Sequence, residues 1–155
     1  MKPFKTIKLL LSTLLLFVLS FNANAELPDN ALQMQEHLNI LGYKTTIPDN
    51  NSAIIAVNNN EKFLLMKTDK GFGITRLFAF KNNIKKDIKF YKFLNKLNSY
   101  DLIKATELDG DFLSFTMMSL NKYNREDFTQ IVNKFNEMNS AILKLHKKEM
   151  SEYVK

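Results

Sequence analysis

Three carboxylates stand close together around one glycine in the stretch ELDGDFLSF, which begins at Glu107. Glu107, Asp109 and Asp111 are of the residue type that binds calcium and performs general acid–base chemistry. A calcium loop of the EF-hand type needs oxygen ligands at alternate positions, however, and Leu113 stands where the next ligand should be. Asp109-Gly110 is also the favoured dipeptide of a type I′ hairpin turn. The sequence therefore predicts a hairpin corner here, with no metal site and no catalytic pair.

The other residue types that carry catalysis do not occur in the patterns that catalysis needs. His37 and His146 are the two histidines, and neither has an acidic neighbour at the spacing of a metal-binding motif such as HExxH. Ser114 and Ser119 lack the GxSxG context of a nucleophilic serine, and the four glycines form no phosphate-binding loop. The chain has no cysteine, which excludes thiol catalysis and disulfides. The sequence therefore predicts neither an enzyme nor a cofactor.

The N-terminal segment, residues 1–25, has the three parts of a secretory signal peptide. Lys2, Lys5 and Lys8 form a positive region, an apolar run follows, and an Ala-Asn-Ala cleavage pattern ends at Ala25. The apolar run is shorter than the roughly 20 residues that a membrane-spanning helix needs. We therefore expect cleavage after Ala25, no membrane span in the remaining chain, and a protein located in the periplasm or secreted.

The remaining chain, residues 26–155, is long enough for one domain with a substantial core. Removing the three lysines of the signal segment leaves 19 of the 22 Lys and Arg residues against 16 Asp and Glu, a net charge of +3. This excess is too small to indicate a nucleic-acid partner.

Hydrophobic periodicity predicts a single α+β domain. A helix opens at Asp29 or Asn30 and ends before Gly42, and short apolar segments divided by Asn- and Gly-rich turns then indicate an antiparallel meander. The later elements are a helix over residues 84–99, strands over 102–108 and 111–118, and a helix over about 125–150. The predicted architecture is an antiparallel sheet of five to six strands packed with three helices, in the order α-β-β-β(-β)-α-β-β-α.

The last helix carries apolar residues at alternating steps of three and four, which is the spacing of a coiled-coil seam. The acids of Arg125-Glu126-Asp127 lie in its first turn, where they favour the helix dipole. The predicted seam consists of Phe128, Ile131, Phe135, Met138, Ile142 and Leu145.

The helix over residues 84–99 is apolar around more than half of its circumference. One side consists of Ile84, Ile88, Tyr91, Leu94 and Leu97, and Phe90 and Phe93 widen it. Because the core needs only one side of a helix, Phe90, Phe93 and Leu97 are the candidate surface for a protein partner or for a second copy in a homodimer.

The narrow polar side of the same helix carries four lysines that lie within about 60° of one another. This lysine stripe consists of Lys85, Lys89, Lys92 and Lys96. It could bind an acidic partner, or it could be the solvated side of an otherwise buried helix. No aromatic platform accompanies it, which argues against a single-stranded nucleic acid.

Two asparagines fall on the apolar side of this helix by their helical phase. Buried amides need hydrogen-bond partners. We therefore expect Asn95 and Asn98 to tie the end of the helix to a neighbouring strand or loop. A ligand-binding role for this pair is the alternative.

The same segment carries a family resemblance. A helix that ends in two asparagines three apart, an Asp-Gly turn between strands and a following helix with phenylalanines resemble the YbjN family over roughly residues 30–145. The residues that carry the likeness are Asn95 and Asn98, Asp109-Gly110, Phe128 with Phe135, and Gly42-Tyr43. This family has been proposed to contain bacterial sensory transduction regulators, and its fold is similar to that of type III secretion chaperones.

Two features of this chain depart from the family pattern. Leu97 stands between the asparagines where the family usually has an aromatic residue, and members are commonly cytosolic whereas this chain carries an export signal. The resemblance therefore implies the fold more strongly than the activity.

The function that these observations predict is an exported, non-catalytic binding or chaperone-like module. It would bind a protein segment or a second copy of itself through apolar surface. Methionines make adaptable contacts of this kind, and Met66, Met117, Met118 and Met138 are the candidates. The alternative is a periplasmic carrier of a small apolar ligand held between sheet and helix.

Overall fold

The structure is a computed structural model that describes residues 27–48, 53–59, 61–68, 71–120 and 123–155. The predicted signal peptide, residues 1–25, lies outside the described residues and stays a prediction. Among the helices of the described residues, none has the length and apolar character needed to cross a membrane.

The described residues form an α+β fold with four helices and a six-stranded antiparallel sheet. The predicted fold class and order of elements are confirmed, and one short helix is added at the end. The elements are α1 (Ala31–Ile40), β1 (Lys44–Thr46), β2 (Ile54–Asn58), β3 (Glu61–Thr68), β4 (Gly71–Ala79), α2 (Ile88–Leu97), β5 (Lys104–Leu108), β6 (Phe112–Ser119), α3 (Arg125–Leu145) and α4 (Lys147–Tyr153).

Two helices have other bounds than their periodicity predicts. Helix α2 begins at Ile88 because Asp87 caps it, accepting hydrogen bonds from the amides of Lys89 and Phe90 at 2.9 and 3.2 Å. The final helix is interrupted at His146, whose φ of −110° and ψ of 23° separate α3 from α4. Capping by a side chain thus decides where α2 begins, although the apolar spacing starts a turn earlier.

The chain divides into two compact units, one ending at Lys67 and the other beginning at Thr68. In the first unit the strands lie in the order β1-β2-β3, with Ala56 paired to Thr45 on one side and to Phe63 on the other. Helix α1 packs on β1 and β2 and buries Met34 and Leu38. This unit therefore has its own small apolar centre.

In the second unit the strands lie in the order β4-β6-β5. The central strand β6 pairs Phe115 with Arg76 of β4 and with Ala105 of β5. Helix α3 packs on β6, and its Phe128 ring lies 5.5 Å from the ring of Phe72. These contacts make the core of the second unit.

The buried side of α3 differs from the predicted seam. Its core residues are Phe128, Val132, Phe135, Asn139 and Ile142. The buried residues keep a seven-residue spacing, but Val132 and Asn139 take the places predicted for Ile131 and Met138, so the helix is rotated about its axis relative to the predicted seam. Ile131 and Met138 are consequently half-buried, and Leu145 is exposed.

Helix α4 and the two residues after it, Val154 and Lys155, form a C-terminal segment that covers one side of α2. The Tyr153 ring stacks on Phe93 at 5.4 Å and contacts Phe90 at 5.2 Å between ring centroids. Main-chain hydrogen bonds join Lys81 N to Tyr153 O at 2.8 Å and Lys155 N to Ala79 O at 2.9 Å. This C-terminal segment thus continues the hydrogen bonding of the chain that leaves β4.

A pair of substitutions on α2 tests which of its sides belongs to the core. Phe90→Ala removes a side chain that is 0 % exposed, whereas Ile88→Ala removes one that is 72 % exposed. We expect Phe90→Ala to lower the free energy of unfolding by about 3–5 kcal/mol and Ile88→Ala by less than about 1 kcal/mol. Urea unfolding followed by circular dichroism measures both. Equal losses for the two variants would contradict this assignment of the core.

Candidate functional site

The acidic hairpin is a structural corner. Asp109 and Gly110 have φ angles of 50° and 76°, and the amide of Asp111 donates to Leu108 O at 3.2 Å. The predicted turn is therefore confirmed, but Leu108 pairs with Phe112, so that three residues rather than two connect the strands. Glycine suits the second position because a positive φ strains residues that have a Cβ.

Glu107, the first carboxylate of the predicted cluster, is paired with a lysine from the segment before α2. Lys86 Nζ lies 2.6 Å from Glu107 Oε1 and donates to Gly110 O, also at 2.6 Å. The same ammonium group lies 5.1 Å from the ring centroid of Phe80. Within the described part of the chain, no group of three or more His, Cys, Asp or Glu residues could hold a metal ion. Glu107 therefore links the hairpin to the segment that precedes α2.

The surface on α2 that the sequence predicts for a partner is not available, because its three residues are buried. Phe90, Phe93 and Leu97 are 0 %, 6 % and 0 % exposed. The rings of Phe80 and Tyr153 cover Phe90, and Tyr153 also covers Phe93. Periodicity could not reveal this cover, because it comes from a C-terminal segment far along the chain. No partner can contact these three residues while that segment is in place.

The lysine stripe is exposed but shorter than predicted. Lys85 precedes α2, while Lys89, Lys92 and Lys96 lie on it and are exposed. Lys96 Nζ already contacts Glu149 Oε1 at 2.9 Å. These positions agree with a solvated helix side, and the binding of an acidic partner stays a prediction.

Asn98 ties the end of α2 to the start of β5, as predicted. Its side-chain nitrogen donates to Ala105 O at 2.8 Å, and its side-chain oxygen accepts from Ala105 N at 2.7 Å. The amide therefore satisfies both backbone groups of an edge-strand residue, in the manner of a neighbouring strand. Asn95 and Asn98 are both exposed, so their predicted position on the buried side of the helix is wrong.

His146 has an acidic neighbour that its sequence context did not suggest. Its Nε2 lies 2.9 Å from Tyr100 Oη, and its Nδ1 lies 3.8 Å from Glu149 Oε1. The hydrogen bond from Lys96 holds the pKa of Glu149 below its ordinary value of 4.5. Both histidines are buried. The four side chains Lys96, Glu149, His146 and Tyr100 form a polar chain that joins α2 to α4.

One cluster of large apolar side chains stays exposed in the second unit. Leu102, Met118 and Leu120 are 50 %, 62 % and 68 % exposed and line one cavity of about 500 Å³, to which half-buried Ile131 of α3 contributes. We call these four residues the apolar patch. A neighbouring cavity of about 680 Å³ shares Leu102 and Met118 with the first. The two cavities therefore lie side by side at the apolar patch, and we call the first of them the recess.

The strand register explains why this patch is exposed. The pairing of β5 with β6 ends at Lys104 and Thr116, while β6 continues through Met117 and Met118 to Ser119. Those last residues still pair with β4. Strand β6 therefore extends beyond the edge strand, and the side chains around its end are left uncovered. Side chains at such an end are available to a partner because no edge strand shields them.

The sequence indicates Met118 as a contact residue, but it does not group Met118 in one site with Leu102, Leu120 and Ile131. Adjacent Met117 and Met118 in a strand must point to opposite faces, so one of the two is left outside a one-sided core. That signal existed in the sequence. The contribution of Ile131 could not be found in the same way, since it depends on how α3 is rotated about its axis over β6.

Comparisons with known proteins support the fold. No model of a known protein family matches the chain, and no curated protein matches it. It is similar to the crystal structure of YbjN, a candidate transcription regulator from E. coli, with a TM-score of 0.59 and 13 % sequence identity. The similarity covers 79 % of this chain and 93 % of YbjN. At this identity the likeness shows a YbjN-like fold, and the resemblance noted in the sequence is supported at that level.

Replacing Asn98 tests the clamp on β5. Asn98→Ala removes both hydrogen bonds to Ala105 and leaves the backbone groups of that buried residue without these partners. We expect the free energy of unfolding to fall by about 1–3 kcal/mol. Asn95→Ala, at an exposed position of the same helix, is the matched control and should change it by less than about 0.5 kcal/mol. A similar loss in both variants would disprove the clamp.

The ion pair of Glu149 predicts how stability depends on pH. A carboxylate whose pKa is lowered on folding stabilises the protein above its ordinary pKa, and this contribution is lost as the pH falls through the folded pKa. Because the pKa of Glu149 is lowered by Lys96, Glu149→Gln should make stability fall less steeply below about pH 4.5. Thermal unfolding between pH 6 and pH 3 measures this slope. An unchanged slope would contradict the role of this pair.

Proposed function

We propose that this chain is an exported, non-catalytic module that binds another protein through the apolar patch. The observation that carries the proposal is the grouping of three half- to two-thirds-exposed Leu and Met side chains around one recess. Single exposed apolar residues are common on soluble proteins, but several around one concavity indicate an interaction site.

The chemistry of the patch suits a protein segment. Leu and Met side chains gain about 1.5–3 kcal/mol each when fully buried, so completing the burial of three half-exposed ones supplies a few kcal/mol in total. This gain is modest, and a stable complex also needs backbone or polar contacts at the rim. The end of β6 offers main chain beyond the edge strand, where an extended segment could add.

Methionine makes the patch adaptable. Met118 is unbranched and polarisable, so it can follow partner side chains of different shapes. Met117 on the other face lines the same cavity while being largely buried. Such a surface supports chaperone-like binding of varied apolar segments better than recognition of one rigid shape.

A carrier of a small apolar ligand is the weaker alternative. A volume of about 500 Å³ lies within the range of ligand sites, but such sites enclose most of their ligand. Here three of the apolar lining residues, Leu102, Met118 and Leu120, are themselves at least half exposed, so a small molecule would remain largely in water. The recess is better suited to a protein partner, whose own surface would shield the exposed side chains from water.

Two further observations argue against nucleic acid as the partner. The patch is lined by one acidic and one basic side chain, Asp127 and Lys134, rather than by a basic cluster. Lys96 of the lysine stripe is engaged by Glu149. Nucleic-acid binding depends on many uncompensated basic residues, and neither surface provides them.

Photo-crosslinking at Met118 tests the proposal. A photoreactive phenylalanine analogue at position 118 of the chain, expressed in cells with its signal segment, should form a discrete protein adduct. The same analogue at Ile40, which is 68 % exposed in the first unit, should not. Leu102→Glu should abolish the adduct at position 118, because a charge in the recess opposes apolar burial.

The proposal fails if position 118 gives no protein adduct, or if it gives the same adducts as position 40. Native mass spectrometry of the gently purified protein distinguishes the alternative. A small co-purified mass that Leu102→Glu removes would favour a ligand carrier. In that case the apolar patch would keep its importance, but its occupant would change.

A further inference from the structure

Helix α3 borders the apolar patch with one stripe of residues whose charges are arranged symmetrically. Asp127, Ile131 and Lys134 occupy positions i, i+4 and i+7, so they lie on one side of the helix beside the recess that they line. Asp127 and Lys134 are exposed, and Ile131 is half-buried between them. The charged ends are about 10 Å apart along the helix axis.

Asp127 and Lys134 carry charges that other described side chains do not pair with. Seven helical residues are too many for Asp127 and Lys134 to contact each other, since only neighbours three or four apart meet on a helix surface. Within the described residues, neither side chain takes part in an ion pair. An acid and a base thus stand at equal distances from the midpoint between Gln130 and Ile131.

From this arrangement we propose that the partner on the apolar patch is a second copy of this chain, packed with its α3 antiparallel to the first. The inference rests on the proposed function, because it uses the same patch. A two-fold axis through the point between Gln130 and Ile131 places Asp127 of each copy opposite Lys134 of the other. Two ion pairs then form at once, and each copy covers the recess of its partner.

Symmetry is the reason for preferring a second copy to an unrelated protein. In a two-fold interface every contact occurs twice and the surface must be complementary to itself. A patch that selects a different protein can carry any charge pattern, and often carries one sign. One acid and one base on either side of an apolar residue can pair with the same surface of a second copy in antiparallel orientation.

The outer side of α3 provides a matched control. Glu137 and Lys144 are also seven residues apart and exposed, but Ser140 and Ala141 lie between them instead of a large apolar side chain. They have the same charge symmetry without a recess or an apolar residue to bury. Because Glu137 is three residues from Lys134 and neighbours it on the helix surface, the control is a charge reversal at Lys144, which lies further along the helix.

Charge reversal measured by sedimentation equilibrium tests the proposal. The protein should form dimers, and Asp127→Lys or Lys134→Glu alone should weaken dimerisation about tenfold, since each creates two like-charge contacts. The double variant Asp127→Lys/Lys134→Glu should restore the original dissociation constant. Lys144→Glu should leave it unchanged.

Restoration by the double variant separates the interface from effects on folding. Asp127→Lys also removes an acid from the first turn of α3 and lowers helix stability. The double variant retains that loss, so recovery of dimerisation can only come from the restored pairing. Thermal unfolding of each variant measures the helix effect separately.

The result overturns the inference if the protein is a monomer up to about 100 μM, or if the two single variants and the double variant dimerise alike. The photo-crosslink at Met118 then decides about the proposed function. An adduct to a different protein keeps that function and replaces the second copy. Absence of any adduct, including one with the mass of two copies, removes both.

Discussion

The position of β6 between two strands is the constraint on which the second unit depends. β6 pairs along its whole length with β4 and along its first part with β5, and it contributes Phe115, a fully buried side chain. The register of these two pairings decides which residues of β4 and β5 face α3. Because a shift by one residue would exchange the two faces, the burial of Phe72 and Phe115 depends on that register. The hairpin turn and the Asn98 clamp fix β5 from its two ends.

Local chemistry made part of this fold predictable. The Asp109-Gly110 turn follows from two residues that accept positive φ, and the order of helices and strands follows from apolar spacing. The cover over Phe90 and Phe93 was not predictable, because it needs Tyr153, which lies far along the chain. The break at His146 was hidden for a similar reason. Its side chain binds Tyr100, a partner that no helical pattern points to.

The candidate site shows a second limit of periodicity. Apolar spacing identifies residues that can be buried. It does not say which of them the core leaves exposed. On α3 the core takes Val132 and Asn139, and it leaves Ile131, Met138 and Leu145 towards the outside. On β6 the edge strand ends before Met118. Ile131 from α3 and Met118 from β6 line the same recess, so the exposed surface combines one residue that each element leaves outside the core.

The C-terminal segment has a consequence for how this unit comes to be folded. The main-chain bonds between Lys81 and Tyr153, and the ring contacts of Tyr153 with α2, join residues widely separated in sequence. Contacts of this kind raise the contact order and slow folding. During synthesis, Phe90 and Phe93 emerge from the ribosome well before the tyrosine that covers them. The nascent chain therefore presents α2 with its phenylalanines uncovered until Tyr153 has been made.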